Sequence, residues 1–395
     1  MHNAWREIQK LNGNQEIWWD SSPVVWPNFK EDMASYPGLS DEERKWLQAE
    51  LDEMFFDAPV EKWIFKGGTT NPPLSWAVLK TRKAEWAEII KGLRKDYKGR
   101  SKYGLFRKVY AEVVKRGAEK YLPLFEKSNG TQGHISAQVD PMLYNNESAM
   151  REMAEELAAI SPNVMVKIPG STSGIPIFKY LASKGIATNA TSVFTLPQIM
   201  AVAKNIAEGR KEHLAKSGDN PRHGWRAVCT QMTGRLEDSK SFRGVIDANN
   251  MAINAFELRV ASEYVVKTAS RLFEERDLPI KMLTCSARKH KNLAGETVYP
   301  HIEMFAGGNM VYTVPPKVLG DVLVHYRNKP IEERWSAEPD PEVMEKLRTI
   351  DYFRKASTED GFAVEEFDEI TSFQENMEAF QKAFREMIDY VGSFL

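Results

Sequence analysis

Cysteine is scarce in this chain: Cys229 and Cys285 are the only two in 395 residues. That excludes a disulfide-stapled scaffold and a cysteine-rich metal site. No apolar run approaches the length of a membrane span, and the opening MHNAWREIQK lacks the apolar stretch of a secretory signal. An excess of either charge is also missing. The 53 Lys and Arg nearly cancel the 55 Asp and Glu, leaving a net charge of -2, so neither a basic nucleic-acid face nor an acidic tail is implied. HExxH, paired CxxC and Walker motifs are absent and the seven histidines are scattered, which predicts no metal site. Internal repeats and low-complexity stretches are missing too. What is present is 42% hydrophobic and 27% charged residues, enough to bury a large core. The expectation is a soluble protein of cytoplasmic type that engages neither nucleic acid nor membrane.

The length allows two or three domains, or one large barrel with insertions. Eight short β-branched or aromatic runs recur along the chain. They are Glu16–Trp19, Trp63–Lys66, His134–Val139, Val164–Ile168, Ile186–Ala190, Trp225–Thr230, Lys281–Cys285 and Met310–Val314. Between them lie segments of helical spacing, including Glu147–Ile160 behind the cap Asn146, Gly174–Ser183, and Leu196–Glu208 behind Thr195. Strands alternating with helices predict an α/β fold with a parallel sheet, and eight units favour a closed (β/α)8 TIM-type barrel over an open doubly wound sheet. Residues 1–395 then form a single domain with a helical insertion at about 75–130, a helical stretch at 238–278 and a C-terminal helical tail at about 326–395. The breaker-rich segments Ser217–Gly224 and Glu338–Pro341 are expected to be loops.

In such a barrel, chemistry concentrates at the C-terminal ends of the strands. Those ends offer Asp20; Thr69, Thr70 and Asn71; Gln138 and Asp140; Lys167; Asn189 and Thr191; Thr230 and Arg235; and Ser286 and Arg288. Lys167 lies inside the apolar run VMVKI, sharing a strand face with Met165. A lysine there either packs its stem and reaches the rim, or points into the barrel mouth. In the mouth, desolvation favours the neutral amine, the nucleophile for a Schiff base with a ketone. Lys66 competes on the same logic. Arg235 and Arg288, with Ser286, suit a phosphate, although pairing with Glu237 or Asp238 would account for them as well. The stretch KGGTT lacks P-loop spacing, and the glycines of FAGGNM read as a turn before the last strand.

Taken in order, EIWWDSS, GGTTNPPL, HISAQVDP, VMVKIPGSTSGI, GIATNATSVFTLPQ, CTQMTGRLED, LTCSARK and FAGGNMVYTVPPKVL resemble the transaldolase family from about residue 16 to about residue 325. The segment FDEITSFQENMEAFQKAFREMIDYV is similar to the C-terminal helix of its longer members, and the insertion fits that longer type. The resemblance implies that Lys167 is the Schiff-base lysine and Asp20 the acid–base aspartate. It implies that Asn71 and Asn189 hold hydroxyls of a dihydroxyacetone unit, that Thr191 holds the catalytic water, and that Thr230 stands where the family has a serine. Arg235, Ser286 and Arg288 match the phosphate-binding group, and Lys66 falls back to a rim lysine. Substrates would be sugar phosphates such as fructose 6-phosphate and erythrose 4-phosphate, no cofactor or metal is required, and the exposed insertion helices offer a homodimer face.

One departure bears on the reaction. The family's transaldolases carry a glutamate in the strand-three motif, where this chain has Gln138. Glutamine resembles the fructose-6-phosphate aldolase branch, which releases free dihydroxyacetone. Met232 replaces a family aromatic and offers no hydroxyl, while Asp140 is a candidate to compensate from farther along the strand. Transaldolase is the first reading. The alternatives are an aldolase of that branch, or a related transaldolase of a specialised sugar pathway. A barrel that binds a sugar phosphate without turning it over is a different class of answer. The joint presence of Asp20, Asn71, Lys167 and Thr191 argues against it.

Overall fold

Each of the eight runs forms a strand, and all strand residues except Lys66 and Lys281 are buried. Strands covered on both faces need continuous apolar runs, which is the pattern the sequence shows. In the computed structural model, which describes residues 1–217, 224–292 and 294–395, the strands are β1 (Glu16–Trp19), β2 (Phe65–Thr69), β3 (His134–Gln138), β4 (Val164–Pro169), β5 (Thr188–Val193), β6 (Ala227–Met232), β7 (Lys281–Cys285) and β8 (Val311–Val314). All pair in parallel and close into a barrel in the order β1-β8-β7-β6-β5-β4-β3-β2. The (β/α)8 expectation is met.

Three strands begin two residues later than their apolar runs: β2, β5 and β6. The leading aromatics belong to the entry turns instead, where the Trp225 indole N–H donates to the Ile186 carbonyl at 3.1 Å. At the other end, small residues extend the strands. Gly67 and Gly68 lie in β2, and a Cβ on Gly67 would sit 2.7 Å from the Trp18 ring and 2.9 Å from the His134 carbonyl. The glycines of KGGTT therefore permit close approach between strands. Those of FAGGNM do form the expected turn, with Gly307 at φ +94°.

The helices follow the sequence closely. Glu147–Ala158 is capped by Asn146, whose Oδ1 accepts from the Ala149 N–H at 3.1 Å. Ile175–Ser183 forms as expected, and Leu196 begins a helix that runs on to Ser217. Of the expected loop Ser217–Gly224, positions 218–223 lie outside the described residues. In the other breaker segment Asp340 caps a helix that Pro341 opens.

The insertion departs from a surface elaboration. Its longest helix, Lys102–Lys127, buries a face running from Leu105 to Phe125 and packs against the barrel. Its Tyr121 hydroxyl donates to the Gly67 carbonyl at 2.8 Å. The C-terminal helix Thr371–Gly392 buries Phe373, Met377, Phe380, Phe384 and Met387 at helical spacing, and the Phe384 ring stands 4.7 Å from that of Phe106. Phe242, Leu258, Leu347 and Phe353 belong to a second, smaller core. Among the described residues no helix is long and apolar enough to cross a membrane.

Candidate active site

Barrel register brings the expected lysine to the centre of a polar cluster. Lys167 lies opposite Gln138 of β3 on one side and Asn189 of β5 on the other. It is 4% exposed, and its Nζ donates to the Thr70 carbonyl at 3.2 Å. Burial lowers the lysine's pKa, against the nearby Asp20 carboxylate, which raises it. Asp20, one residue past β1, is likewise buried and accepts from the Thr69 hydroxyl at 2.7 Å. Burial raises its pKa, while Lys167 and Thr69 oppose the rise. The two groups are thus pushed towards their neutral forms together. A neutral amine is the nucleophile for a carbonyl, and a carboxyl beside it can pass protons to and from a substrate.

Around this pair the strands supply hydrogen-bonding side chains in a row. The Thr230 hydroxyl donates to Asn189 Oδ1 at 2.6 Å, and Asn189 Nδ2 donates to the Ser136 hydroxyl at 2.9 Å. Thr69 also contacts the Thr313 hydroxyl. Gln138 is fully buried, yet both atoms of its amide lack a partner among the described residues, and so does the Thr191 hydroxyl. Buried polar groups almost always find partners, so these atoms beside Lys167 are free to hydrogen-bond a substrate. The backbone of Gln138 is fixed meanwhile. Tyr110 of the long insertion helix donates its hydroxyl to the Gln138 carbonyl at 2.8 Å and accepts from its N–H at 3.1 Å.

Asn71 caps the helix Pro72–Thr81, its Oδ1 accepting from the Leu74 N–H at 2.9 Å. Its Nδ2 is left to donate to a ligand. Asp140 is spent in its turn: one oxygen accepts from the Met142 N–H and the other from the Tyr103 hydroxyl, both at 2.8 Å. It does not stand in for a carboxylate beside Gln138. Met232 is buried at the end of β6. Lys66 is corrected more strongly. Because β2 starts later than its apolar run, Lys66 is the strand's second residue and couples to Glu16 at the start of β1, at the opposite end of the barrel from the mouth. Its amine donates to the Trp63 carbonyl at 2.9 Å.

The two arginines lie close enough for their charges to interact, and burial lowers the pKa of Arg235. Its guanidinium faces the Phe380 ring at 5.7 Å. Arg288 is more open and touches Asp238 at 3.3 Å, while Ser286 between the strand and Arg288 adopts φ +61°. A serine in the left-handed region is a strained position of the kind that collects at functional sites.

Several residues at the site escape a reading of strand ends. Ser136 shares the inward face of Gln138 two positions back, so extending the alternation one step would have found it. Cys285 couples to Lys167, Asp20 and Arg235, and burial pushes its thiol up to about 11. Phe380 and Asn376 arrive from the C-terminal helix, Asn376 donating to the Ser192 hydroxyl at 2.7 Å, and no local signal announces them. The scattered histidines conceal another grouping: Glu237, His290 and His301 place ligand-type atoms within 4.8 Å of one another.

Comparison with known proteins agrees with this geometry. The family model described as transaldolase/fructose-6-phosphate aldolase matches residues 49–387. A transaldolase of Saccharopolyspora erythraea is 24% identical over 96% of this chain and 98% of its own. One from Trichodesmium erythraeum is 23% identical over 74% of this chain and 80% of its own. A third, from Thiobacillus denitrificans, is 28% identical over 49% of this chain, which spans only 54% of that relative's length. With a barrel closed around Lys167 and a family match across most of its length, the chain belongs to the transaldolase/fructose-6-phosphate aldolase family.

Proposed function

We propose that this chain is a transaldolase, moving a dihydroxyacetone unit from a ketose phosphate such as fructose 6-phosphate to an aldose phosphate such as erythrose 4-phosphate. The observation that carries the reading is a buried lysine in the barrel mouth, coupled to a buried aspartate and flanked by unpartnered amide and hydroxyl groups. The neutral amine of Lys167 adds to the ketose carbonyl; the carbinolamine takes the proton that Asp20 carries in its neutral form, and loss of water leaves a protonated imine and an ionised Asp20. Asp20 takes the proton of the hydroxyl beside the scissile bond. That carbon–carbon bond then breaks, its electron pair flowing into the imine to form an enamine, and the aldose leaves. Attack of the enamine on an acceptor aldehyde reverses these steps, Asp20 returning the proton, and water hydrolyses the imine. Thr191 and Gln138 would hold that water, Asn71 and Asn189 the hydroxyls of the retained unit with Thr230 and Ser136 behind them, and Arg235, Ser286 and Arg288 the phosphate.

A second reading is favoured by one residue. The amide of Gln138 orients water but cannot take its proton, which suits an aldolase that discharges free dihydroxyacetone. Incubation with fructose 6-phosphate and borohydride, followed by mass mapping of the reduced adduct, tests the shared first step. The adduct is expected on Lys167. An adduct elsewhere, or none, overturns both readings.

A further inference from the structure

Arg235 and Arg288, read above as the phosphate grip, each lie three residues beyond the last paired residues of two neighbouring strands, Met232 of β6 and Cys285 of β7, so the loops past that pair set their spacing. Arg235 sits in the short helix Thr233–Asp238 after β6. Arg288 begins an excursion after β7 that makes a small hairpin of His290–Lys291 with Thr297–Val298, then a turn of helix at Pro300–Glu303, before entering β8. The side chain of Arg288 is 40% exposed, so its contact with Asp238 is screened by water and fixes little. The backbone of Arg288 is held differently. Its N–H donates to His301 Nδ1 at 2.9 Å. On the other side of that ring, Nε2 faces both carboxylate oxygens of Glu237, at 2.9 and 3.0 Å. Glu237 is 2% and His301 1% exposed, and Glu237 lies two residues after Arg235.

The protons can be assigned by elimination. A backbone N–H only donates, so Nδ1 accepts, and the proton of the neutral ring sits on Nε2, where it donates to Glu237. The same assignment disfavours a metal among Glu237, His290 and His301. A metal on Nε2 would move the ring proton to Nδ1, opposing it to the Arg288 N–H. The surrounding packing points the same way. The Thr233 hydroxyl donates to the Cys285 carbonyl at 2.7 Å. A Cβ on Gly234 would lie 2.4 Å from the Ser286 carbonyl and 2.9 Å from Arg288 Cγ, so the two loops interlock at a position only glycine allows.

We propose that Glu237 and His301 are positioning residues for the phosphate grip, a buried relay that locks the Arg288 backbone to the helix bearing Arg235 and so sets the spacing of the two guanidiniums. The proposal rests on the reading of Arg235 and Arg288 as the phosphate site. It gives the excursion after β7 a task, which is to deliver His301 beneath Arg288.

Competitive inhibition by inorganic phosphate is the direct probe. His301→Ala is expected to raise the inhibition constant, and the KM for fructose 6-phosphate, roughly three- to tenfold, the range for one lost buried hydrogen bond, with kcat changing less. Borohydride trapping of dihydroxyacetone, which carries no phosphate, is expected to match wild type. His301→Asn places an amide oxygen near the position of Nδ1 and is expected to recover much of the phosphate affinity. Should His301→Ala fail to fold, His301→Asn and Glu237→Gln carry the test, with smaller shifts in the same direction. An unchanged inhibition constant, or an equal loss of trapping with dihydroxyacetone, overturns the proposal. Arg288→Ala separates the two levels. If it weakens phosphate while the His301 variants do not, the relay alone fails. If Arg288→Ala leaves phosphate binding unchanged, the phosphate site itself is wrong.

Discussion

At the lower end of the barrel Glu16 is held by Arg226 at 2.6 Å and by Lys281 at 2.9 Å, and it also accepts from the Trp18 indole N–H at 3.0 Å. At the mouth, Lys167 donates to a backbone carbonyl, and the amide of Gln138 has no partner among the described residues. Both ends bury ionisable groups, yet with opposite consequences. Burial alone would raise the pKa of Glu16, but its two cations overcome it and hold the carboxyl at about 2. At the mouth burial prevails over the single charge partner, and Lys167 and Asp20 drift towards neutrality. The number of compensating charges decides the outcome. Fully paired, a buried charge locks structure; half paired, it stays available for chemistry.

The largest effect should come from the mouth. Lys167→Ala is expected to abolish both borohydride trapping and turnover, because it removes the amine proposed to form the imine. It should leave the fold intact, since removing an incompletely paired buried amine relieves a desolvation cost. Circular dichroism and a thermal melt check the second half. Labelling transferred to Lys66 would erase the distinction between the two ends.

The lower end should respond in stability instead. Glu16→Ala strands Arg226 and Lys281 and is expected to cost about 3–5 kcal/mol in chemical denaturation, with the folded fraction still trapping dihydroxyacetone. The pH dependence has a definite sign. The folded value of about 2 lies below the ordinary 4.5, so the contribution is complete above pH 4.5 and fades as pH falls towards 2. It amounts to roughly 3 kcal/mol. A variant whose acid unfolding matches that of wild type would show that the pairing stabilises nothing.

This division was only partly legible in the sequence. Eight apolar runs and the helical spacing between them carry the barrel, because closure buries both faces of every strand. Lys167 stands out because a lysine inside VMVKI needs a special environment. Lys66 looked equivalent, since Trp63 and Ile64 lengthen the apolar run at its leading end and mask the true start of β2. Glu16 drew no notice as a site: its partners Arg226 and Lys281 lie more than two hundred residues away, and register alone joins them. The same holds for His301 and Glu237, and for Phe380 beside Arg235. Contacts between distant elements leave no local periodicity to read.

A finer contrast within the mouth comes from the arginines. Arg235 is mostly buried against Phe380, whereas Arg288 is open and already shared with Asp238. A charge-assisted contact is worth on the order of 1.5–3 kcal/mol, so Arg235→Ala is expected to lose roughly ten- to a hundredfold in kcat/KM with phosphorylated substrates. Arg288→Ala should lose less. Equal losses with unphosphorylated sugars would make both arginines structural.

The smallest effect, and the one that bears most on the reaction, is expected at Gln138. Transfer and release share every step up to the enamine on Lys167. They diverge when either an aldehyde or a proton captures it, and in how readily water frees the imine. The amide of Gln138 is fully buried beside Lys167 and its backbone is clamped by Tyr110, so its position is fixed while its chemistry is limited to orienting water. Asp140 does not supply the missing base, because one oxygen is engaged by Met142 in the following turn and the other by Tyr103 of the insertion helix. Wild type should therefore show measurable aldol addition with free dihydroxyacetone alongside transfer from fructose 6-phosphate. Gln138→Glu adds an acceptor that can pass protons through the water Thr191 is proposed to hold, and should shift the balance towards transfer by a few-fold. The measurement is the partition between free dihydroxyacetone and sedoheptulose 7-phosphate with erythrose 4-phosphate as acceptor. An identical partition in both proteins would move the switch away from position 138, to Met232 at the end of β6 or to the insertion helix that presents Tyr110.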